Sequence, residues 1–520
     1  MTDTGRDAAM PKDRLGRLVN GVIWPGFIGI TVPRWLAAAL ADGLAGVVYF
    51  RHNIDPDSPT QVARLSASIR ESNPDAIIGA DEEGGNVTRL QAREGSGVPG
   101  AAVLGRLDDV AVTEAAGAAI GRMCRDAGIN LVIGPVADVN TNPANPVIGV
   151  RSFGSDTALV SRHAAAMVRG IQSAGVGACA KHFPGHGDTL SDSHTALPRL
   201  DLSLASVERD HLPPFRAAMA AGVAAMMTAH IVIPELGEAP ATLNPAAGDL
   251  LRSMGFDGLL VTDALDMAAV RATVGSGSGA VQALLAGADL LCVGNPDNSY
   301  SGRGTDEDAY REVRDAVLAA VSGGILPIEV LRRAAGRVAS FSSRTRTAGS
   351  IREPSAAAGW TGPDWTAVAR RACDVVEVAG NARLPAGTMA VAFLDARVKP
   401  NMAAGSVRNF FAAELPPEIA VHPVTLSDLP GVLPGVLPGD GEATSPEAPA
   451  WVVLVDSLAD TRQRDALEAV ARAIPTAICI NAGLGVQALA LDARPPLTTI
   501  NCYGASRVTA RAVAALLTGP

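Results

Sequence analysis

The sequence predicts an α/β protein with an N-terminal (β/α)8 TIM-like barrel and a C-terminal αβα sandwich domain. Three observations lead to this prediction. Short apolar runs alternate with helical stretches, which is typical of a parallel sheet. Polar residues follow several of these runs, as they do at the carboxyl face of a barrel. The chain has 520 residues, more than one ordinary domain holds.

Seven apolar runs predict the strands of the first domain. They are short, rich in Val, Ile, Leu and Ala, and lack polar alternation, as expected of strands that are buried on both faces. They span residues 44–50, 75–81, 130–139, 177–183, 224–230, 258–265 and 289–294. Residues 206–222 are a helix candidate with Ser206 at the N-cap, and the pair Pro213-Pro214 either interrupts this helix or marks where its main part begins. Helices at 310–322 and 327–341 close the domain.

A second α/β pattern follows a linker. Residues 346–363 are small, contain Pro and Gly and show no periodicity, so the predicted boundaries are 1–345 for the barrel, 346–363 for the linker and 364–520 for the C-terminal αβα domain. Its predicted strands are 389–395, 451–457, 476–483 and 496–504, and its predicted helices are 460–473 and 506–517. The Pro/Gly-rich residues 429–450 predict an exposed insertion without chemistry. This domain shows no clustered catalytic residues, so its expected role is packing, dimerisation or closing one side of the pocket.

Composition excludes several classes of partner. The formal net charge is -10, whereas nucleic acids and anionic membranes require a basic face. The six cysteines are widely spread without a CxxC pair, and most lie in apolar runs, which predicts buried reduced thiols. The N-terminal residues lack the apolar core of about 7–15 residues of a secretory signal. No apolar run reaches the ~18 residues of a membrane span. We therefore expect a cytoplasmic protein without a nucleic-acid or membrane partner.

Polar residues lie at the ends of five of the predicted strands. The carboxyl ends of the strands of a barrel meet on one face, and that face carries the chemistry. Because a buried charge is costly unless it is paired or used, five such strand ends predict a functional site rather than a solvated surface. They are Arg51-His52, Asp81-Glu82, Lys181-His182, His230 and Asp263.

The stretch KHFPGHGDTLSDSH at residues 181–194 is the densest group of polar residues. His182 and His186 have the i, i+4 spacing of two metal ligands, but that spacing puts both on one face only in a helix. Pro184 and Gly185 exclude a helix here, which makes a metal site a poor fit. The glycines also lack the spacing of a nucleotide-binding phosphate loop, in which the lysine follows them.

Acid/base catalysis is the third interpretation of this stretch. Asp192 and His194 flank Ser193. An aspartate bonded to one imidazole nitrogen fixes the tautomer and raises the basicity of the other nitrogen. A histidine with its ordinary pKa near ~6.5 both gives and takes protons at cellular pH. A surface loop held by local Asp and Ser bonds would account for the loop itself, but not for the Lys181-His182 strand end that leads into it.

The run KHFPGHGDTLSDSHTALP, residues 181–198, resembles the signature of bacterial family 3 glycoside hydrolases of the β-N-acetylglucosaminidase type. Further matches lie in order along the predicted barrel, at residues 81–90, 138–154, 227–234 and 256–267. The resemblance covers roughly residues 14–345, and the C-terminal region is similar to the second domain of longer members only in element order. One departure is DEEGG at residues 81–85, where relatives often have DQEGG, so Glu82 adds an acid that would alter the pocket charge if it faces the substrate.

The resemblance implies a role for each candidate residue. Asp263 matches the nucleophile of a retaining mechanism, and the Asp192–His194 dyad matches the acid/base, with His194 as the proton carrier. His186 is expected to fix the loop. His230 is a candidate for substrate binding, and the sequence is equally compatible with a buried, structural role for this histidine. The residues that match those binding the hydroxyls of the terminal sugar are Asp81, Arg89, Arg151, Lys181 and His182.

The function implied is a retaining, exo-acting β-N-acetylglucosaminidase that needs no metal or organic cofactor. Its partner would be a small saccharide with non-reducing β-linked GlcNAc, from cell-wall recycling or from chitin. Two alternatives use the same site: a phosphorylase with inorganic phosphate as acceptor, and a dual β-glucosidase/N-acetylglucosaminidase. A sugar-binding protein on an inactive barrel would have lost the nucleophile or the dyad, and Asp263, Asp192 and His194 are all present. The sequence does not specify the aglycone or the oligomeric state.

Overall fold

The computed structural model describes residues 12–191, 193, 196–296, 304–345, 362–397, 408–433, 449–485 and 495–519. The elements of the first domain, in chain order, are α1 (Lys12–Asn20), β1 (Ile23–Pro25), α2 (Arg34–Ala41), β2 (Gly46–Tyr49), α3 (Gln61–Ser72), β3 (Ile77–Ala80), α4 (Ala101–Leu107), α5 (Val110–Asp126), β4 (Leu131–Val132), α6 (Thr157–Ser173), β5 (Gly177–Phe183), α7 (Leu204–Ser206), α8 (Pro213–Ala220), β6 (Ala225–Thr228), α9 (Pro245–Ser253), β7 (Leu259–Val261), α10 (Ala268–Arg271), α11 (Ser276–Leu285), β8 (Leu291–Gly294), α12 (Asp306–Ser322) and α13 (Ile328–Thr345).

Parallel strands form the centre of the first domain. Among the described residues, a ladder runs in the order β2-β3-β4-β5-β6-β7, and every pair in it is parallel. β1 and β8 form a separate parallel pair. A bridge between Val261 and Leu290 joins the end of the ladder to the segment that leads into β8. The predicted α/β class and parallel sheet are therefore confirmed.

One apolar cluster lies inside the curved sheet. It contains buried side chains from all eight described strands of this domain, namely Trp24, Val48, Ile77, Leu131, Cys179, Met227, Val261 and Cys292. Phe341 of α13 belongs to the same cluster and is fully buried. A Cβ atom added at Gly177 would lie 2.8 Å from the Phe341 ring, so this strand end has room only for glycine. The eight strands thus share one interior.

The sequence prediction missed β1. This strand has only three residues and contains Pro25, so it shows neither the length nor the composition of the other runs. Its position is fixed instead by Trp24, whose Nε1 donates to the carbonyl oxygen of Ile77 at 2.9 Å. A Cβ atom at Gly79 would lie 2.2 Å from the Trp24 ring. At the proline pair, a π-helical turn ends at His211 and α8 begins at Pro213, which confirms the second of the two alternatives.

The second domain is built on another α/β sheet. Its described elements are α14 (Trp365–Ala372), β9 (Asp374–Val376), β10 (Ala390–Asp395), α15 (Phe410–Ala413), β11 (Ala420–Val424), α16 (Leu429–Val432), β12 (Ala450–Val455), α17 (Thr461–Ala473), β13 (Ile478–Asn481), β14 (Thr498–Asn501) and α18 (Arg507–Thr518). The strand order is β11-β10-β12-β13-β14-β9, and only β9 is antiparallel to its neighbour. The four predicted strands and two predicted helices are all present, and β9 and β11, whose residues are half-buried or exposed, were missed.

Helices lie on both faces of this sheet. Along β10, Val391 and Phe393 pack with α15 and α18 in one apolar cluster, whereas Ala392 and Leu394 pack with α16 and α17 in another. Residues 346–361 of the predicted linker and residues 434–448 of the predicted insertion lie outside the described part of the chain.

The two domains share apolar packing. Side chains of α14 and α18, including Trp365, Val368 and Val508, belong to the large cluster that also contains Val98 and Leu104 of the first domain. The second domain therefore packs against α4 and against the loop that precedes it. All six cysteines lie in the described part and are free, with Cys373 half-buried and the others buried, as predicted. Among the described residues, the helices are too short or too polar to cross a membrane.

Candidate active site

Five charged side chains alternate in sign where β3 and β5 end. The ammonium nitrogen of Lys181, Nζ, lies 2.7 Å from Asp81 Oδ1 and 2.7 Å from Glu83 Oε1. Arg89 Nη2 donates to the other Asp81 oxygen, Oδ2, at 2.9 Å. Arg151 binds Glu83 through two bonds, Nε to Oε2 at 2.9 Å and Nη2 to Oε1 at 2.7 Å. None of these five side chains is more than 19% exposed.

This charged network stays ionised over a wide pH range. Burial alone would raise the pKa of Glu83, but the charges of Arg151 and Lys181 outweigh it and hold that pKa at about 2. In the same way, Lys181 and Arg89 outweigh burial and hold the pKa of Asp81 well below its usual range. Burial would lower the pKa of Lys181, yet Asp81 and Glu83 raise it. The site therefore presents fixed charged donors and acceptors, which bind hydroxyl groups more strongly than neutral groups do.

His182 is oriented by a carboxylate that the sequence analysis did not single out. Asp138 Oδ2 lies 2.7 Å from His182 Nδ1, and Asp138 Oδ1 accepts from the backbone N–H groups of His182 and His186 at 3.1 and 2.8 Å. Asp138 is fully buried, which would raise its pKa, but the two histidines outweigh burial and hold it at about 2. Because this contact occupies Nδ1, a ligand would meet the other ring nitrogen of His182, Nε2.

His186 fixes the loop that follows β5, as the sequence predicts. Its Nδ1 lies 2.9 Å from Thr189 Oγ1, and its Nε2 lies 3.1 Å from Ser193 Oγ. Burial, together with the nearby His182, lowers the pKa of His186 to about 4, so its ring is neutral at pH 7. Ser193 stands between the two residues of the predicted dyad. Asp192 and His194 themselves lie outside the described residues.

Asp263 follows β7, at the carboxyl end of the parallel sheet. Its side chain is half-buried, and Oδ1 accepts from the backbone N–H of Ala264 at 2.8 Å. His230, at the end of β6, is fully buried, and its ring nitrogens lie 2.9 Å from Thr242 Oγ1 and 2.8 Å from the carbonyl oxygen of Ala264. These contacts favour the structural alternative for His230, because the ring holds the backbone that carries Asp263, and its assignment to substrate binding stays a prediction.

Two other strand-end residues, Glu82 and His52, contact backbone groups of the first domain. Glu82 is buried, and its Oε1 accepts from Thr88 Oγ1 at 2.9 Å and from the backbone N–H groups of Arg89 and Leu90 at 2.5 and 2.6 Å. The additional acid of DEEGG therefore faces its own loop and does not join the charged network. His52 Nε2 lies 2.7 Å from the carbonyl oxygen of Phe27, and Arg51 is exposed.

Glu83 and Asp138 are the site residues that sequence reasoning missed. Asp138 is a polar residue at the end of the third predicted strand, the same signal that identified five other strand ends. Glu83 stands two residues after Asp81 within the conspicuous run DEEGG. Both signals were present, but the cationic partners of Glu83 lie 68 and 98 residues further along the chain, and only the fold brings them together.

Comparisons with known proteins agree with this architecture. The sequence profile described as "Glycosyl hydrolase family 3 N terminal domain" matches residues 32–341, more than half of the chain. "Beta-hexosaminidase" of Xylella fastidiosa (strain 9a5c) is 38% identical over 265 residues, which are 49% of this chain and 78% of that protein. "Beta-hexosaminidase A" of Pseudoalteromonas piscicida is 35% identical over 270 residues, 48% of this chain, and the matched region spans only 45% of that relative.

A solved structure extends the similarity to the second domain. The family 3 beta-N-acetylglucosaminidase of Paenibacillus sp. str. FPU-7 superimposes with a TM-score of 0.83 at 31% sequence identity, covering 97% of this chain and 96% of that one. The profile match over residues 32–341 and the identity to the Xylella relative together establish the family. The chain belongs to glycosyl hydrolase family 3.

Proposed function

We propose that the protein is a retaining, exo-acting β-N-acetylglucosaminidase that removes non-reducing terminal GlcNAc from small saccharides. The observation that carries the proposal is the half-buried Asp263 carboxylate on the barrel face that also holds the ionised network around Lys181. A carboxylate nucleophile beside fixed hydroxyl-binding charges is what a retaining glycosidase requires. The names of the relatives, β-hexosaminidase and β-N-acetylglucosaminidase, support the same activity and this sugar.

The proposed reaction has two steps. The Asp263 carboxylate attacks the anomeric carbon, the bond from that carbon to the leaving oxygen breaks, and His194 gives its proton to the leaving oxygen. Water then attacks the same carbon while His194 takes a proton from it, and the Asp263 carboxylate leaves. Two inversions at one carbon give net retention. Asp192 orients the imidazole in both steps, and the roles of this dyad rest on the sequence motif.

The remaining candidates bind the sugar in this proposal. Asp81, Arg89, Arg151 and Lys181 belong to the charged network and would bind hydroxyl groups, and His182 would do so through Nε2. We add Glu83 to this group as the carboxylate that holds Lys181 and Arg151 in place. We also infer that β1 and β8 complete an eight-stranded barrel, which the common interior of the strands supports.

Product analysis tests the proposal. p-Nitrophenyl β-N-acetylglucosaminide is incubated with the enzyme, with and without millimolar phosphate, and the products are followed by proton and phosphorus NMR. We expect free GlcNAc that is released first as the β-anomer at a phosphate-independent rate. β-GlcNAc 1-phosphate, formed from the same intermediate at a rate that depends on phosphate, would instead identify a phosphorylase. No product from this glycoside or from natural GlcNAc saccharides would overturn the enzymatic proposal.

Two aspartates on either side of β7 provide a matched pair of variants. Asp263→Asn removes the proposed nucleophile and should lower kcat by more than about 10³-fold, because the covalent step is lost. Asp257→Asn makes the same chemical change just before the strand, where the residue is exposed, and should leave kcat unchanged. Equal activities for the two variants would refute the assignment of Asp263.

A further inference from the structure

We propose that the second domain positions the sugar-binding part of the barrel through Asn86. This proposal rests on the proposed function and gives the second domain a role in it. The relevant segment is the β3–α4 loop, residues 81–100, which carries Asp81, Glu83 and Arg89. Asn86 lies midway between Glu83 and Arg89 and does not belong to the charged network.

A tight turn presents Asn86 to the second domain. Gly84 and Gly85 have φ values of +78° and +59°, which favour glycine. A Cβ atom at Gly85 would lie 2.5 Å from the Cα of Gly100, so the two arms of the loop touch at this point. The backbone N–H of Glu83 donates to the carbonyl oxygen of Val87 at 3.0 Å, which closes the turn. Any movement of Asn86 is thus passed to Glu83 through a short, closed piece of backbone.

The second domain contacts this loop at several places, and three of these contacts involve the loop backbone or Asn86 directly. Asn86 Oδ1 accepts from the backbone N–H of Ala505 at 2.6 Å. The backbone N–H of Val508 donates to the carbonyl oxygen of Ser96 at 3.3 Å. A Cβ atom at Gly95 would lie 2.9 Å from the Phe410 ring, so that ring packs directly on the loop backbone. The loop therefore lies between the barrel and the second domain and is anchored to both.

Tyr503 brings the second domain close to the charged network itself. Tyr503, Glu83 and Arg151 line one small cavity of about 20 Å³, which has room for about one water molecule. Tyr503 has a φ of +56°, a conformation that residues other than glycine rarely adopt. Its hydroxyl donates to Asp374 within its own domain. The backbone that presents Ala505 is thus fixed by contacts of the second domain.

The consequence for binding follows from the position of Glu83. This carboxylate contacts both Lys181 and Arg151. A shift of the loop therefore moves the carboxylate that accepts hydrogen bonds from both cations. Asp263 follows a different strand, β7, and its Oδ1 accepts from the backbone N–H of Ala264. Loss of the Asn86 contact should therefore weaken sugar binding while the chemical step at Asp263 changes little.

Three variants of the full chain test the proposal. Asn86→Ala removes the acceptor for Ala505, and we expect KM for p-nitrophenyl β-N-acetylglucosaminide and the dissociation constant of GlcNAc to rise about fivefold, the effect of losing one hydrogen bond. kcat should stay within about twofold. Asn86→Asp keeps an acceptor oxygen and should restore most of the affinity. Hydrogen exchange in residues 81–100 should be faster in Asn86→Ala than in wild type, because the loop is less restrained.

A matched control comes from another asparagine. Asn381 Oδ1 also accepts from a backbone N–H, that of Arg383 at 3.2 Å, but this bond is exposed and local to the second domain. Asn381→Ala should leave KM, kcat and GlcNAc affinity unchanged. Wild-type KM and GlcNAc affinity in Asn86→Ala would overturn the positioning role, as would a loss confined to kcat. If wild type turned over no GlcNAc glycoside, the proposed function would fail, and calorimetric GlcNAc affinity of Asn86→Ala would still decide the positioning role.

Discussion

At the residue scale, surroundings rather than residue type decide the charge of the site carboxylates. Glu82 and Glu83 are neighbours in the chain, yet cations hold the pKa of Glu83 at about 2, whereas burial raises the pKa of Glu82 to about 7. Glu82 accepts hydrogen bonds only at Oε1, because Oε2 is buried without a hydrogen-bond partner among the described residues. An ionised Glu82 is therefore poorly solvated, and its protonation state depends on pH near neutrality.

The first prediction is that Glu82→Gln changes how stability depends on pH. The folded pKa of Glu82, about 7, exceeds its ordinary value of 4.5. Between these values the folded protein binds a proton that the unfolded chain has lost, so the free energy of unfolding falls as pH rises from 4.5 to 7 and then levels off. The whole loss is at most about 3 kcal/mol, from 1.36 kcal/mol per pKa unit. Urea unfolding at pH 5 and pH 8 should show this contribution in wild type and not in Glu82→Gln.

Glu71 supplies the control for this prediction. It is an exposed glutamate of the same domain, so Glu71→Gln should follow the wild-type pH dependence. If Glu82→Gln also loses the wild-type amount of stability between pH 5 and pH 8, the carboxyl of Glu82 is already ionised at pH 5.

At the scale of elements, the sequence predicts what depends on local pattern and misses what depends on contacts across the fold. The long buried run of β5 and the helices α12 and α13 are each visible in a short window, and all three are observed. β1 is too short to show a pattern, and the pairing of Asp138 with His182 joins residues 44 positions apart. The function could be predicted because the motif that indicates it is one contiguous run of residues. The contacts that orient His182 could not be predicted, because they join residues that are distant in the sequence.

The second prediction concerns the link between the segments that follow β4 and β5. In Asp138→Asn the amide oxygen still accepts from backbone N–H groups, but the amide nitrogen cannot accept from His182 Nδ1. We expect kcat/KM to fall by about 10–100-fold, as observed when the partner that orients a functional histidine is removed from a protein. Steady-state kinetics with p-nitrophenyl β-N-acetylglucosaminide, together with circular dichroism to confirm folding, measures this effect.

Asp188→Asn is the appropriate comparison. Asp188 Oδ1 accepts from Thr141 Oγ1 at 2.8 Å, so it also links the two segments but does not contact His182. Its substitution should reduce kcat/KM by less than about threefold, since this hydrogen bond is exposed to solvent and does not involve His182. Equal losses in the two variants would mean that any contact between the segments suffices and that orientation of His182 is not the reason.

At the scale of the whole molecule, the two strand–helix patterns could be predicted from the sequence, but the contacts between them could not. Each domain has its own strand–helix alternation, and the sequence contains both patterns. The junction depends instead on the apolar helix faces that are still exposed once the helices of each domain have packed on their own sheet. Trp365 and Val508 pack with Val98 and Leu104 of the first domain, and nothing local to α14 or α18 specifies these partners. The shared core also makes the second domain part of the support of the β3–α4 loop.

The last prediction is that this shared core makes the two domains unfold together. Wild type should show one calorimetric transition. Thermal unfolding followed by hydrogen exchange should give the same midpoint temperature for both domains. Trp365→Ala removes a buried side chain from the junction, at a cost of about 3–5 kcal/mol, and should split the transition into two because the coupling is lost. Leu467→Ala removes a buried side chain from the far face of the second sheet and should lower the midpoint without splitting it. Two separate transitions in wild type would show that the domains are stable independently and that the junction contributes little to holding the loop.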